Sequence, residues 1–307
     1  MTNDPFRTMV RAEGARLYRD LPWRRTRDPY EIWLSEVMLQ QTQVPRVESR
    51  WPAWLSRFPS VFALAEASTA DVLAAWQGMG YNRRALALKA AAEEVVRAFD
   101  GEFPRDTEAL VALPGIGPAT AQGIRAFAFD LPGVYLETNV RTVFLHHFFP
   151  DVPAVPDKEL VPLVEAACPV GSAGLPSGSA PNSEHGGFAA SQDAEDTPHS
   201  WYYALLDYGA HLKKTVPNPS RRSKTYARQS KFEGSRRQKR AEIVRILLDA
   251  QACGAMGTAI AEVSARLDEA ETSAGRPPVE RGVTASILED LAREGFCRAT
   301  EDGWRIA

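Results

Sequence analysis

The sequence is poor in cysteine. Cys168, Cys253 and Cys297 stand far apart in a chain of 307 residues. Such spacing gives no disulfide framework and no four-cysteine metal or iron–sulfur set. The three thiols are expected as small apolar side chains of the interior. Long apolar runs are missing too. Nothing approaches the roughly 18 consecutive apolar residues of a membrane span, and Met1 to Arg11 holds no apolar signal core. A monomeric cytoplasmic protein with no membrane partner is expected. Alternating strand patterns of useful length are absent from the first half, which is therefore expected to be all-helical.

What is present fits a globular chain: 44% hydrophobic and 24% charged residues, with length enough for two domains. The formal net charge of −3 hides an asymmetry. Between His211 and Arg240 lie eleven cations, Lys213, Lys214, Arg221, Arg222, Lys224, Arg228, Lys231, Arg236, Arg237, Lys239 and Arg240, against the single acid Glu233. The strip carries +10 and leaves −13 for the rest. It reads either as a solvated linker or as a phosphate-contacting strip, since clustered cations displace counterions from nucleic acid.

Helical spacing of apolar residues recurs after Asp28-Pro29 (Ile32, Trp33, Leu34, Val37, Met38, Leu39) and over residues 68–77, 84–99, 106–113 and 118–129. Ser68 or Thr69 and then Thr107 are expected as caps. Residues 170–200 are rich in Gly, Ser, Ala, Pro and acids and are expected to be a disordered loop. Helical pattern resumes at residues 201–209. Residues 238–307 read as a separate small domain: helices near 241–250, 258–267 and 284–293, then two short strands near 295–299 and 303–306. Three helices followed by a hairpin resemble a winged helix; a helical dimerisation tail is the other reading.

Two features carry chemistry. Leu113-Pro114-Gly115-Ile116-Gly117 lies between two helical stretches, just before Pro118-Ala119-Thr120. Glycines permit a tight turn whose amides join those of the next helix's N-terminus, a nest that binds a phosphate oxygen without reading sequence. A plain helix–helix turn would look the same. The second feature is a pair of carboxylates. Glu36 sits among apolar residues on a helix expected to be mostly buried, and Glu137 opens the run Glu137-Thr138-Asn139-Val140-Arg141. A buried, unpaired glutamate has a raised pKa and serves as a general acid near neutrality. Taken singly, either glutamate also fits a cap or an ion-pair partner.

Five segments in register add a resemblance. Residues 21–25 (LPWRR), 35–44 (SEVMLQQTQV), 76–81 (WQGMGY), 113–121 (LPGIGPATA) and 137–143 (ETNVRTV) occur in the order and at spacings similar to those of helix-hairpin-helix adenine DNA glycosylases acting on A/G mismatches. Residues 201–211 resemble them again. The resemblance implies a two-lobed all-α fold with a cleft between lobes. It implies Glu36 as general acid on the leaving base, Glu137 at the family's catalytic aspartate and Asn139 as its support. Gln41 and Tyr81 fall on residues that push into the base stack, and Trp23 and Arg24 on the wall of the base pocket. A target atom inside a duplex is unreachable, so the nucleotide must be extruded and the gap filled. Departure of the base then leaves an oxocarbenium-like sugar that one carboxylic acid and one carboxylate together manage.

The chain also departs from that family. Ala119 stands where lyase-active relatives place a lysine, so no Schiff base is expected there. Glutamate replaces aspartate at 137. His211-Leu212-Lys213-Lys214 and the residues through Arg240 lack the cluster cysteines, so no iron–sulfur cluster, other metal or cofactor is expected. A pocket position usually Gln or Glu is Tyr203, and the C-terminal part resembles no oxidised-guanine reader. The expectation is a glycosylase domain over residues 1–232 and a winged-helix-like α+β domain over 238–307. Its activity would be monofunctional hydrolysis of the N-glycosidic bond of a flipped base in double-stranded DNA, most simply adenine in a mispair. The alternatives are another base, such as uracil, mismatched thymine, hypoxanthine or an alkylated purine, or an inactive DNA-binding protein. Leu113, Gly115, Gly117, Thr120, Lys213, Lys214, Arg221, Arg222 and Lys224 are expected at the DNA, with Gln41 and Tyr81.

Overall fold

The computed structural model describes residues 3–170, 196–227, 231–280 and 282–307. Most of the loop expected at 170–200, and Arg228 of the basic strip, lie outside the described residues. In chain order the helices are α1 (Asn3–Arg16), α2 (Pro29–Leu39), α3 (Val44–Arg57), α4 (Val61–Glu66), α5 (Thr69–Ala75), α6 (Arg83–Phe99), α7 (Thr107–Ala112), α8 (Pro118–Phe129), α9 (Thr138–Phe148), α10 (Asp157–Ala167), α11 (Pro198–Thr215), α12 (Arg236–Ala252), α13 (Ile260–Ser273) and α14 (Val283–Arg293). Two strands, β1 (Cys297–Thr300) and β2 (Gly303–Ile306), close the chain. Among the described residues no helix is long and apolar enough to cross a membrane.

Local chemistry sets the helix starts. Asp28 accepts the amides of Tyr30 and Glu31, with Pro29 at the first position of α2. Ser68 caps α5 by accepting the Asp71 amide. Before α7 the capping side chain is Asp106, bonded to the Ala109 amide at 2.9 Å, rather than the expected Thr107. Helices α3 and α10 contain Pro52 and Pro162, which obscured them in the sequence.

The chain divides into two units. The first comprises Met1–Val37, Phe103–Ala112 and Ile116–Arg228. Its core gathers Phe6, Ile32, Phe127, Phe144, Trp201 and Tyr202, all buried. Within it α11 lies against α9 so closely that a Cβ on Gly209 would come 2.1 Å from the Asn139 carbonyl oxygen. Only glycine permits that approach.

The second unit comprises Met38–Glu102, Leu113–Gly115 and Gln229–Ala307. It therefore groups the helices from α3 to α6 with the C-terminal segment. Trp54 and Trp76 meet edge to face at 5.5 Å in its core. In the C-terminal segment β1 and β2 pair antiparallel, with Cys297 opposite Ile306. Thr258, expected to open a helix, instead exchanges both backbone hydrogen bonds with Trp304, and α13 begins two residues later. The C-terminal segment thus runs helix, single bridge, two helices and hairpin.

Candidate active site

Glu36 lies on α2 in the first unit. Its Oε2 accepts the Tyr135 hydroxyl at 2.9 Å. Tyr135 sits in the extended connection between α8 and α9, whose path the Tyr202 hydroxyl ties down through the Tyr135 amide and the Gly133 carbonyl. Room for the carboxyl comes from Gly123 on α8, where a Cβ would stand 2.3 Å from Glu36 Oε2. Some surface of Glu36 stays accessible, yet protein atoms surround its carboxyl. Burial pushes its pKa up to about 8; the Tyr135 bond opposes the rise and Glu137 adds to it. At neutral pH this acid keeps its proton.

Glu137 stands at the head of α9. Its Oε1 accepts the amides of Asn139 and Val140, the latter at 3.1 Å, so the cap reading and the catalytic reading fall on one residue. Burial raises its pKa. The α9 amides, the positive end of the helix and Lys213 all oppose that rise. The Oδ1 of Asn139 is buried with no hydrogen-bond partner. Lys213 lies one helical turn beyond Gly209 on α11, and burial lowers its pKa against the pull of Glu137. Glu36, Tyr135, Glu137, Asn139 and Lys213 thus share one electrostatic neighbourhood.

Arg24 is buried and paired twice with Asp207, at 2.7 and 2.8 Å. Its guanidinium lies 4.3 Å from the Tyr203 ring centroid. Tyr203 also stacks on Phe127, with centroids 4.3 Å apart, and receives the edge of His199. Trp23 is buried beside Arg24 in the chain. These residues form a packed aromatic and cationic wall.

In the turn before α8, Leu113 and Ile116 are buried while Pro114, Gly115 and Gly117 are exposed. Two apolar anchors thereby turn the intervening backbone outward. Gly115 is required twice: its φ is +73° and a Cβ would meet Ala87 at 2.6 Å. Thr120 is buried, so its side chain belongs to the interior of α8.

Gln41 and Tyr81 lie in the second unit, both in the left-handed region at φ 54° and 51°. One guanidinium orders both loops. Arg84 donates to the carbonyls of Met38, Gln40, Met79 and Gly80 and to the Thr42 hydroxyl, at 2.6–3.2 Å. Burial lowers its pKa to about 10.

The basic strip splits. Lys214, Arg221 and Lys224 are exposed, whereas Arg222 donates to the Leu145 carbonyl at 2.9 Å. Arg236, Lys239 and Arg240 form ion pairs with Asp290, Glu271 and Glu294. An iron–sulfur cluster needs several thiolates together. Here the 216–224 segment holds none, and Val155 exchanges backbone hydrogen bonds with Arg222 and Lys224 at 2.8 and 2.9 Å. The donor set does not fit a cluster. Among the described residues no group of three His, Cys, Asp or Glu could hold a metal ion.

Several of these positions carried no assigned role in the sequence reading. A glycine inside a helix, as at 123 and 209, signals close approach; the partners of Tyr135, Arg84 and Asp207 leave no local mark.

Residues 34–161 match the HhH-GPD superfamily of base excision DNA repair proteins. The adenine DNA glycosylase of Mycolicibacterium smegmatis is 45% identical over 139 residues, covering 44% of this chain and 47% of that protein. The human adenine DNA glycosylase is 40% identical over 134 residues, covering 41% and 24%. The chain thus spans less than half the length of these relatives. Among solved structures, a thermostable thymine-DNA glycosylase superposes with TM-score 0.53 at 21% identity, over 68% of this chain and 86% of that one. Endonuclease III in a non-covalent DNA complex gives 0.50 at 17%, over 70% and 87%. These two likenesses speak to the fold.

Proposed function

We propose that this chain is a monofunctional DNA glycosylase that hydrolyses the bond between a flipped-out adenine and its sugar in mispaired double-stranded DNA. The observation that carries the reading is Glu36. It holds its proton at neutral pH beside a second carboxylate whose Oε1 is anchored on a helix N-terminus. Tyr135 occupies Glu36 Oε2, which leaves Oε1 to carry the proton and deliver it to a ring nitrogen of the leaving base. Burial raises the pKa of Glu137 while the α9 amides and Lys213 favour its carboxylate form; as the carboxylate it stabilises the cationic sugar and orients the attacking water through Oε2. The unpartnered Oδ1 of Asn139 is available to that water. Gln41 and Tyr81 fill the vacated stack; exposed backbone at Gly115 and Gly117 contacts phosphate, and Lys214, Arg221 and Lys224 add phosphate contacts of their own. Ala119 offers no amine where lyase-active relatives place one, and no cofactor enters the chemistry.

A second reading keeps the mechanism and changes the base. It is favoured by Tyr203, whose ring is already stacked on Phe127 under Arg24 and so offers a tyrosine edge where an amide or carboxylate is usual. Single-turnover excision on labelled duplexes decides between them. The panel holds A opposite oxidised guanine, G or C, together with uracil, mismatched thymine, hypoxanthine and alkylated bases, and is read with and without alkali. Strand breaks at adenine only after alkali are expected. Release of another base moves the specificity to the Tyr203 wall. Release from no substrate, with DNA binding kept, overturns the enzymatic reading in favour of a DNA-binding protein.

A further inference from the structure

The C-terminal segment would, as a winged helix, place α14 in a DNA groove. Its charges argue otherwise. Glu289, Asp290 and Glu294 lie along or just after α14. Bonds from Arg236 and from Arg83 hold the carboxyls of Asp290 and Glu294, respectively, below their ordinary range, so both stay ionised. Ion pairs with Arg83, Arg236, Arg240 and Arg293 neutralise Asp290 and Glu294, so those cations are committed within the protein rather than offered to phosphate.

The same segment instead reaches the loop that bears Tyr81. Arg237 on α12 donates to the Tyr81 hydroxyl at 2.8 Å and lies 5.1 Å from the ring centroid. Phe232 backs the same guanidinium at 5.5 Å. Next door, Arg83 pairs with Glu294. Beside these contacts lies a cavity of about 400 Å³ lined by Gln41, Tyr81, Phe232, Arg237, Val244 and Phe296. Two guanidinium groups face the Tyr81 ring, Arg84 at 5.6 Å and Arg237 at 5.1 Å, and Arg237 also bonds its hydroxyl, so Arg237 reaches the ring and its tip together.

We propose that Arg237 is a positioning residue for Tyr81, and that the C-terminal segment braces the loop that enters the base stack rather than reading DNA itself. This rests on Tyr81 being a stack-filling residue. A planar guanidinium over a phenol ring gives one hydrogen bond and one cation–π contact at once, a geometry lysine does not reproduce.

The test uses the full chain in a Glu36→Gln background, so that excision does not enter the readout. A duplex carries 2-aminopurine next to the mispair, and its fluorescence reports opening of the stack. Arg237→Ala is expected to lower the fluorescence gain and slow opening about tenfold, the scale of one hydrogen bond plus one cation–π contact. The thermal midpoint should not move. Tyr81→Phe should act in the same direction, Arg237→Ala/Tyr81→Phe should be no worse than Arg237→Ala alone, and Arg237→Lys should restore only part. The slope of log affinity against log salt should stay unchanged. A slope reduced by about one would make Arg237 a phosphate contact and overturn the proposal. Additive losses in the double variant, or faster opening in Arg237→Ala, would overturn it too. If Tyr81→Ala leaves the fluorescence untouched, the stack-filling reading fails and the brace with it. If Tyr81→Ala acts and Arg237→Ala does not, the brace alone fails.

Discussion

The carboxylate site of the first unit and the paired loops of the second reach precision by opposite means. Around Glu36 the protein removes water and sets one hydroxyl donor, Tyr135, against the burial, and the result is a shifted proton affinity. Around Gln41 and Tyr81 it adds donors: one arginine spans five acceptors and holds two left-handed turns. Burial tunes energy, whereas hydrogen bonds tune shape. Damage to the first region should therefore appear in pH and rate, and damage to the second in DNA engagement and stability.

Glu36→Gln tests the first half of that contrast most sharply. Loss of a general acid costs on the order of 10²–10⁴ in rate, so single-turnover excision should fall by about that factor while DNA affinity holds. The wild type should also lose rate as pH rises through about 8, where Glu36 gives up its proton. The linked stability has the same sign. A carboxyl whose folded pKa lies above its ordinary 4.5 contributes stability fully present below that value and lost as pH rises through about 8. Glu36→Gln cannot ionise and should flatten both curves; a variant that keeps the alkaline fall would assign that fall to another group.

Gly123→Ala is the steric counterpart. Its Cβ would enter the space of Glu36 Oε2, and displacement of an acid by about 1 Å costs roughly 100-fold. Excision near wild-type rate would show that the carboxyl does not need that position.

Arg84→Ala should break the other side of the comparison. It strips a donor from two loops, and buried acceptors left unmade cost about 1–3 kcal/mol each at most. A fall in denaturant midpoint and weaker DNA binding are expected, with the pH midpoint for excision unchanged. A shift of that midpoint would erase the distinction between the regions.

Lys213→Ala should cost about tenfold or less. Lys213 lowers the Glu137 pKa, so its removal should raise the acidic limb of the pH–rate profile and hurt more at pH 6 than at pH 8. The smallest effect is expected for Lys214→Ala: an even loss across DNA sequences and a salt slope lower by about one. Because Lys213 and Lys214 are neighbours in the chain, the pair asks whether a basic strip is one functional object. Half-buried Lys213 beside Glu137 and exposed Lys214 indicate that it is not.

Much of this molecule is legible in one dimension. Helical spacing, the cap at Ser68 and the glycine-rich turn at 113–117 are local consequences of side chain and backbone chemistry, and they reappear where the pattern puts them, whereas the cap before α7 falls to Asp106 and not Thr107. The two glutamates stand out because charged residues in apolar surroundings require a reason. Folding alone decided what surrounds them. Tyr135 meets Glu36 across 99 positions, Arg237 meets Tyr81 across 156, and Asp207 meets Arg24 across 183. No periodicity encodes such encounters, because desolvation and long-range hydrogen bonds exist only once packing has excluded water. The sequence names the acid; the packing of Gly123, Tyr135 and Glu137 around it decides whether it still holds a proton at neutral pH.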